Sequence, residues 1–260
     1  DAVITFWSGD KKKALDSFVV TQKKAVLDIS QDTFDLGWKK EEQNFTVESN
    51  IQWEILLNGE KKDKFAVTSP KLDKVAGKID KDFKTSEEVV TFGPNANNLS
   101  DESLPAEITV APVLIKASGD RFELNENVKK ALTTTISISQ DYLIFLINDS
   151  RDSVTLDGFS ELGKTYVDKG EVDMAEHVCS QKFTVVSEVE WKYDESALGA
   201  VGGKLDKVAE TDTTIDDRKA KIYTMILHMD EPNPTREVRQ YDLKLWAVED
   251  EEASRTVKVE

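Results

Sequence analysis

Asn44-Phe45-Thr46-Val47 followed by Ile51-Gln52-Trp53-Glu54, and Lys182-Phe183-Thr184-Val185 followed by Val189-Glu190-Trp191-Lys192, are the stretches that decide the fold. In each, a Phe precedes a Trp by the same interval, 45 to 53 and 183 to 191. Ile51, Trp53 and Ile55 alternate with Gln52 and Glu54, as Val189, Trp191 and Tyr193 do with Glu190 and Lys192. Alternation with period two places successive side chains on opposite faces of a strand. Both Trp residues therefore share a face with their apolar neighbours and are expected in a core.

Two further echoes flank this one in the same order. Leu27-Asp28-Ile29-Ser30-Gln31-Asp32 resembles Ile136-Ser137-Ile138-Ser139-Gln140-Asp141, and Lys71 to Ala76 reappears identically as Lys204 to Ala209. Three echoes in one order indicate a tandem duplication. The wider spacing in the second copy indicates an insertion between Asp141 and Lys182, around Leu162 to Cys179. Ala117-Ser118-Gly119-Asp120 is the expected junction, giving domains 1–117 and 118–260. Phe34 to Leu36, Glu107 to Val110 and Tyr241 to Leu245 also alternate, and Asn58-Gly59, Gly93-Pro94-Asn95 and Glu231-Pro232-Asn233-Pro234 supply turns. Helical periodicity is confined to Glu126 to Leu132 and Val172 to Val178. Many short strands with polar turns, and a Trp on a central strand of each copy, predict an all-β chain. Its fold class is two immunoglobulin-like antiparallel β-sandwich domains in tandem, the second with an insertion. Val3 to Trp7 and Phe18 to Val20 fit neither copy and read as extra strands.

Composition narrows the function. The 260 residues carry a formal net charge of −16, with Lys and Arg scattered. A nucleic-acid partner demands a basic face, so none is expected. No apolar run reaches the roughly 18 residues of a membrane helix, so no membrane insertion within the chain is expected. The single Cys179 precludes an internal disulfide, and His177-x-Cys179 is too short for a metal motif.

Catalysis needs convergent groups, and no nucleophile elbow, zinc-protease motif or phosphate loop is present. The chain is read as non-enzymatic, with no cofactor and no metal. His228 lies in a predicted strand as a structural residue. Asp212, Asp216 and Asp217, like Asp149 and Asp152, read as solvated loop acids because their spacing fits no calcium loop. Ligand binding is expected on an aromatic face beside polar groups. Leu243 and Leu245 must face the core, which leaves Trp246 on the polar face beside Asp242 and Lys244. Trp38, at a strand end after Gly37, is a second, half-exposed candidate. Trp246, Trp38, Asp242 and Lys244 are thus the predicted site residues.

Leu27 to Pro112 resembles a BACON domain, the Bacteroidetes-associated carbohydrate-binding module often found at N-termini. The resemblance rests on Gln43-Asn44-Phe45-Thr46-Val47, on Ser49-Asn50 before the strand Trp, and on Phe65 to Pro70. It extends to the Asn-rich turn after Val89 to Phe92 and to Ala106 to Val110. The second half follows more loosely and closes on Arg255 to Val259. The Trp-Leu pair common in the family is missing. The resemblance implies an immunoglobulin-like sandwich at the surface of a gut-type bacterium, as an outer-membrane lipoprotein, or in the periplasm. The implied partner is a glycan or a surface protein. The alternative is a structural spacer or an adhesin or fimbrial-type subunit.

Overall fold

The alternating segments fold as strands. The computed structural model describes residues 2–7, 9, 14–20, 24–72, 74–79, 82–116, 118–149, 154–156, 179–229 and 241–259. Contacts divide the chain into two units, 1–98 with 102–141, and 142–260 with 99–101. No helix among the described residues is long and apolar enough to cross a membrane.

In the first unit β1 (Ala2–Trp7) and β2 (Ala14–Val20) form a two-stranded antiparallel sheet. There follow β3 (Leu27–Ile29), β4 (Thr33–Leu36), β5 (Gln43–Ser49), β6 (Trp53–Asn58), β7 (Phe65–Ser69), β8 (Ser86–Pro94) and β9 (Leu104–Pro112). The small pair β10 (Leu114–Ile115) and β11 (Arg121–Phe122) and the predicted helix α1 (Glu126–Leu132) lead to β12 (Thr134–Gln140). Two four-stranded sheets result, ordered β3-β5-β8-β7 and β4-β12-β9-β6. Between them the rings of Phe34, Phe45 and Phe92 cluster 5.0 to 6.3 Å apart, Phe34 meeting Phe92 edge to face and the other pairs tilted, beside fully buried Val47, Trp53, Ile108, Val110 and Ile136. Each such apolar side chain contributes about 1.5–3 kcal/mol of burial.

The second unit contains β13 (Phe145–Ile147), β14 (Val154–Leu156), β15 (Cys179–Ser187), β16 (Trp191–Tyr193), α2 (Glu195–Ala200), β17 (Gly203–Ile215), β18 (Arg218–Met229), β19 (Tyr241–Ala247) and β20 (Asp250–Val259). Its sheets, β13-β15-β18-β17 and β14-β20-β19-β16, repeat the first unit strand for strand. In both units the early chain enters one sheet and then crosses to the other. There it meets the last strand in parallel, β4 with β12 and β14 with β20. The sandwiches are therefore antiparallel except for that one ladder in each. Phe145, Phe183, Val185, Leu227, Leu243 and Leu245 fill the second core.

The junction differs from the expected 117/118. β12 pairs with β4 on one side and β9 on the other, so the first sandwich is incomplete without it. Buried Gln140 at its end ties it further, donating from Nε2 to the Trp38 carbonyl at 2.9 Å and the Ala96 carbonyl at 3.1 Å. The first domain consequently runs to Asp141.

Two of the three echoes also fall. Ile136 to Asp141 contains the last strand of the first unit, not the first of the second. Lys71 to Ala76 follows β7, whereas the identical Lys204 to Ala209 lies within β17. Only the Phe-to-Trp echo marks equivalent positions. Its loops confirm the match: Asn50 accepts the Val26 amide on its side chain at 2.9 Å, and Glu188 accepts that of Ile144 at 2.9 Å. The insertion lies outside the described residues, apart from Cys179 at the start of β15, as does the helix expected at Val172 to Val178.

A fragment of residues 1–141 should unfold cooperatively in urea, followed by circular dichroism, while 1–117 should show no cooperative transition. Removing a strand with neighbours on both sides leaves two ladders unpaired and exposes Ile136 and Ile138 together with their partners.

Candidate functional site

The two units differ most at their equivalent tryptophans. Both sit at the start of a strand that edges its sheet, β6 or β16. Residues directly opposite in an antiparallel pair alternate between bonded and non-bonded. Val113 donates to Gln52 and Val248 to Glu190, so the main-chain N–H and C=O of Trp53 and Trp191 both point away from their sheets.

In the first unit this edge is closed. Trp53 donates to the Ala76 carbonyl at 3.0 Å and accepts from the Ala76 amide at 2.8 Å. Gly77, at φ +70, lies so close that a Cβ there would meet the indole at 2.7 Å. Only glycine combines that backbone with that approach. The Gly77 amide is held by Glu88 at 3.1 Å, and the indole N–H donates to Ser49 at 3.1 Å. Trp53 is completely buried.

In the second unit no described residue closes the edge. A tight turn at Asp216-Asp217, both with positive φ, replaces the long β7–β8 connection, and the chain instead builds the extended hairpin β17–β18. Tyr223 takes the place of Glu88, since Tyr223 pairs with Val185 as Glu88 does with Val47. Its ring meets Trp191 edge-on at 5.5 Å and 81°. Ser187, the counterpart of Ser49, bonds instead with the main chain of Val189. Trp191 stays half-buried, which corrects its expected full burial, and its main-chain groups have no hydrogen-bond partner among the described residues.

The result is a groove of about 420 Å³ lined by Trp191, Tyr193, Tyr223 and Met225, with Glu190, Glu195 and Lys207 at its rim. Glu190 and Tyr223 also line a neighbouring cleft of about 630 Å³ under the hairpin, whose far wall carries Asp212, Thr214 and Lys219. Glu210 grips Lys207 at 2.6 Å and Lys221 at 2.5 Å. Those two hydrogen-bonded ammonium groups lower its carboxyl from 4.5 to about 2. Lys207 lies 5.6 Å from the Tyr223 ring centroid, within cation–π range. Desolvation, then Glu210, raise the Tyr223 hydroxyl above its usual value. The groove offers aromatic edges, carboxylates and amines, but no nucleophile poised beside a base.

The predicted site residues fare unevenly. Trp38 is 6% exposed, so it offers no free stacking face; its carbonyl instead anchors Gln140 and Asn98. Asp242 and Lys244 are exposed on β19, as parity requires, while Leu243 and Leu245 are buried. Trp246 shares the outer face but is half-buried. Lys192 lies across from it with Nζ 5.3 Å from the ring, and the indole nitrogen of Trp246 is buried without a hydrogen-bond partner among the described residues. Trp246, Asp242 and Lys244 thus lie on one sheet face, whereas the groove lies at the edge beside β16. Sequence reasoning missed the groove because it put Trp191 in the core. The available signal was Asp216-Asp217, a turn too tight to contain a covering loop. His228 is buried and paired with Asp206 at 3.2 Å. No group of three His, Cys, Asp or Glu among the described residues could hold a metal ion.

No family model and no curated protein matches the chain. Solved structures similar to it include the Bacteroides ovatus GH5 xyloglucanase in complex with a XXXG heptasaccharide, at 12% identity and a TM-score of 0.29. That match covers 56% of this chain and 23% of the enzyme's. The periplasmic chaperone SfaE is similar at 7% identity and a TM-score of 0.32, over 90% of this chain and 99% of its own. The E. coli chaperone DraB is similar at 9% identity and a TM-score of 0.30, over 91% and 98%.

Two outcomes check the site. Trp53→Ala should cost about 3–5 kcal/mol in urea unfolding of the first unit, and Trp191→Ala about 1–2 kcal/mol in the second, because only Trp53 is fully enclosed. The Glu210 carboxyl carbon should titrate near pH 2 by NMR. Its folded value lies below the unfolded one, so its stabilising contribution is complete above the unfolded value of about 4.5 and disappears as pH falls towards 2. A midpoint near 4.5 would mean the two lysines do not hold it.

Proposed function

We propose that the chain is a non-enzymatic binding module of the bacterial cell envelope, engaging its ligand in the groove beside β16. In this reading the first unit is the closed scaffold and the second the binding unit. The observation that carries it is the contrast between equivalent positions, one sealed by Ala76-Gly77 and the other open. A half-buried aromatic pair ringed by Glu190, Glu195 and Lys207 supplies apolar contact and hydrogen-bonding groups together, as binding sites require. The resemblance to BACON domains supports the envelope location and a glycan or surface protein as ligand. A structural spacer or adhesin-type subunit is the competing reading, and it requires no ligand in the groove.

Small probes separate the two. Methyl glucoside and N-methylacetamide, titrated separately into the isotope-labelled chain, should shift the Trp191, Tyr223 and Glu190 resonances before any others. Shifts centred on Trp246 and Lys244 would move the site to the outer face of β19. The absence of localised shifts with both probes would favour the spacer.

A further inference from the structure

We propose that the open edge of β16 receives an extended polypeptide segment with a small residue opposite Trp191 and basic residues on either side. The inference rests on the groove reading above and names the partner for it. The chain itself carries the precedent. In the first unit the equivalent edge is filled by Ala76, which bridges Trp53 antiparallel through two main-chain hydrogen bonds, with Gly77 turning away beside the indole. The second unit keeps the same strand, register and outward-pointing main-chain groups at Trp191, but its tight β17–β18 turn removes the segment that would fill it.

An edge strand with unpaired N–H and C=O groups is a template for adding another strand, and pockets beside it select the side chains. β17, the long edge strand of the other sheet, is blunted by a bulge between Lys207 and Ala209 and by its own charges. β16 carries no such irregularity in its ladder with β19. The space beside it suits a small residue, because Tyr223 already covers one side of the Trp191 ring. The rim carboxylates of Glu190 and Glu195 form no ion pair among the described residues and are exposed. The filling segment of the first unit reads Lys74-Val75-Ala76-Gly77-Lys78, a small pair between two lysines. A segment of that kind would place cations beside the two glutamates while its alanine exchanges bonds with Trp191.

The test uses the full chain and a capped synthetic peptide of the sequence of residues 71–79. The peptide should shift the Trp191 amide resonance saturably and change tryptophan fluorescence. The same peptide N-methylated at its alanine should bind about tenfold more weakly, because the donor to the Trp191 carbonyl is gone. Exchanging both flanking lysines for glutamates should weaken binding further. Because these changes are made in the peptide, folding of the protein is not at issue. Equal binding of the methylated peptide, or no shift at Trp191 with any peptide, overturns the proposal. If the peptides fail while methyl glucoside shifts Trp191, the groove stands as a binding site and the polypeptide partner falls. If peptide and both small probes leave Trp191 unmoved, both readings fall together.

Discussion

An edge tryptophan must have its ring covered and its main-chain groups satisfied, and the two halves of this chain meet that requirement differently. Trp53 stands at the start of β6 with its N–H and C=O turned outward. Left bare inside a core, those groups would each cost free energy comparable to a lost hydrogen bond. The β7–β8 connection therefore doubles back, and Ala76 bonds both. Gly77 is the one residue that fits against the indole, and Glu88 fixes it. In the second unit no loop among the described residues returns to Trp191. Trp191 remains half in water, where its main chain can be hydrated, and Tyr223 covers the part of the ring that water would not favour.

That difference shapes the β17–β18 hairpin of the second unit. Once the long connection is replaced by Asp216-Asp217, β17 and β18 run on as a hairpin of 13 and 12 residues. Its turn is pinned by Arg218, which donates to the Tyr142 carbonyl at 2.6 Å and pairs with Glu188 at 3.2 Å. Tyr142 donates in addition to Asp216. Glu188 thereby serves two ends at once, holding the Ile144 amide and the hairpin's arginine. The inner surface of the hairpin carries the Lys207–Glu210–Lys221 cluster. It is exposed to solvent, so its role is to orient Lys207 over Tyr223 rather than to stabilise the fold appreciably.

The resemblance between the units is one of topology more than of sequence. Phe45 and Phe183, Val47 and Val185, Ser49 and Ser187 occupy equivalent, buried places. Beyond them the correspondence is carried by role. Asn50 and Glu188 differ chemically yet each caps the amide just before β3 or β13, the first strand of its sandwich. Conversely, identical hexapeptides take different structures, since Lys71 to Ala76 turns and bridges where Lys204 to Ala209 extends. A short sequence with no strong intrinsic preference adopts what its surroundings dictate.

The sequence by itself determined the strand character of both halves, the all-β class, the shared Phe-to-Trp element and the parity of β19. These depend on local alternation, which period two fixes residue by residue. It did not determine the junction, because β12 belongs to the first unit through partners near Thr33 and Leu104, distant in the chain. Nor did it determine the fate of the aromatics. Parity puts Trp53 and Trp191 on the same face, but whether that face is sealed depends on a β7–β8 connection that returns in one unit and whose counterpart between β17 and β18 is a tight turn in the other. Trp38 is buried, and its main chain is tied to Gln140, 102 positions away. Burial, unlike alternation, is a property of what comes back to cover a residue, and only the tertiary structure decides that.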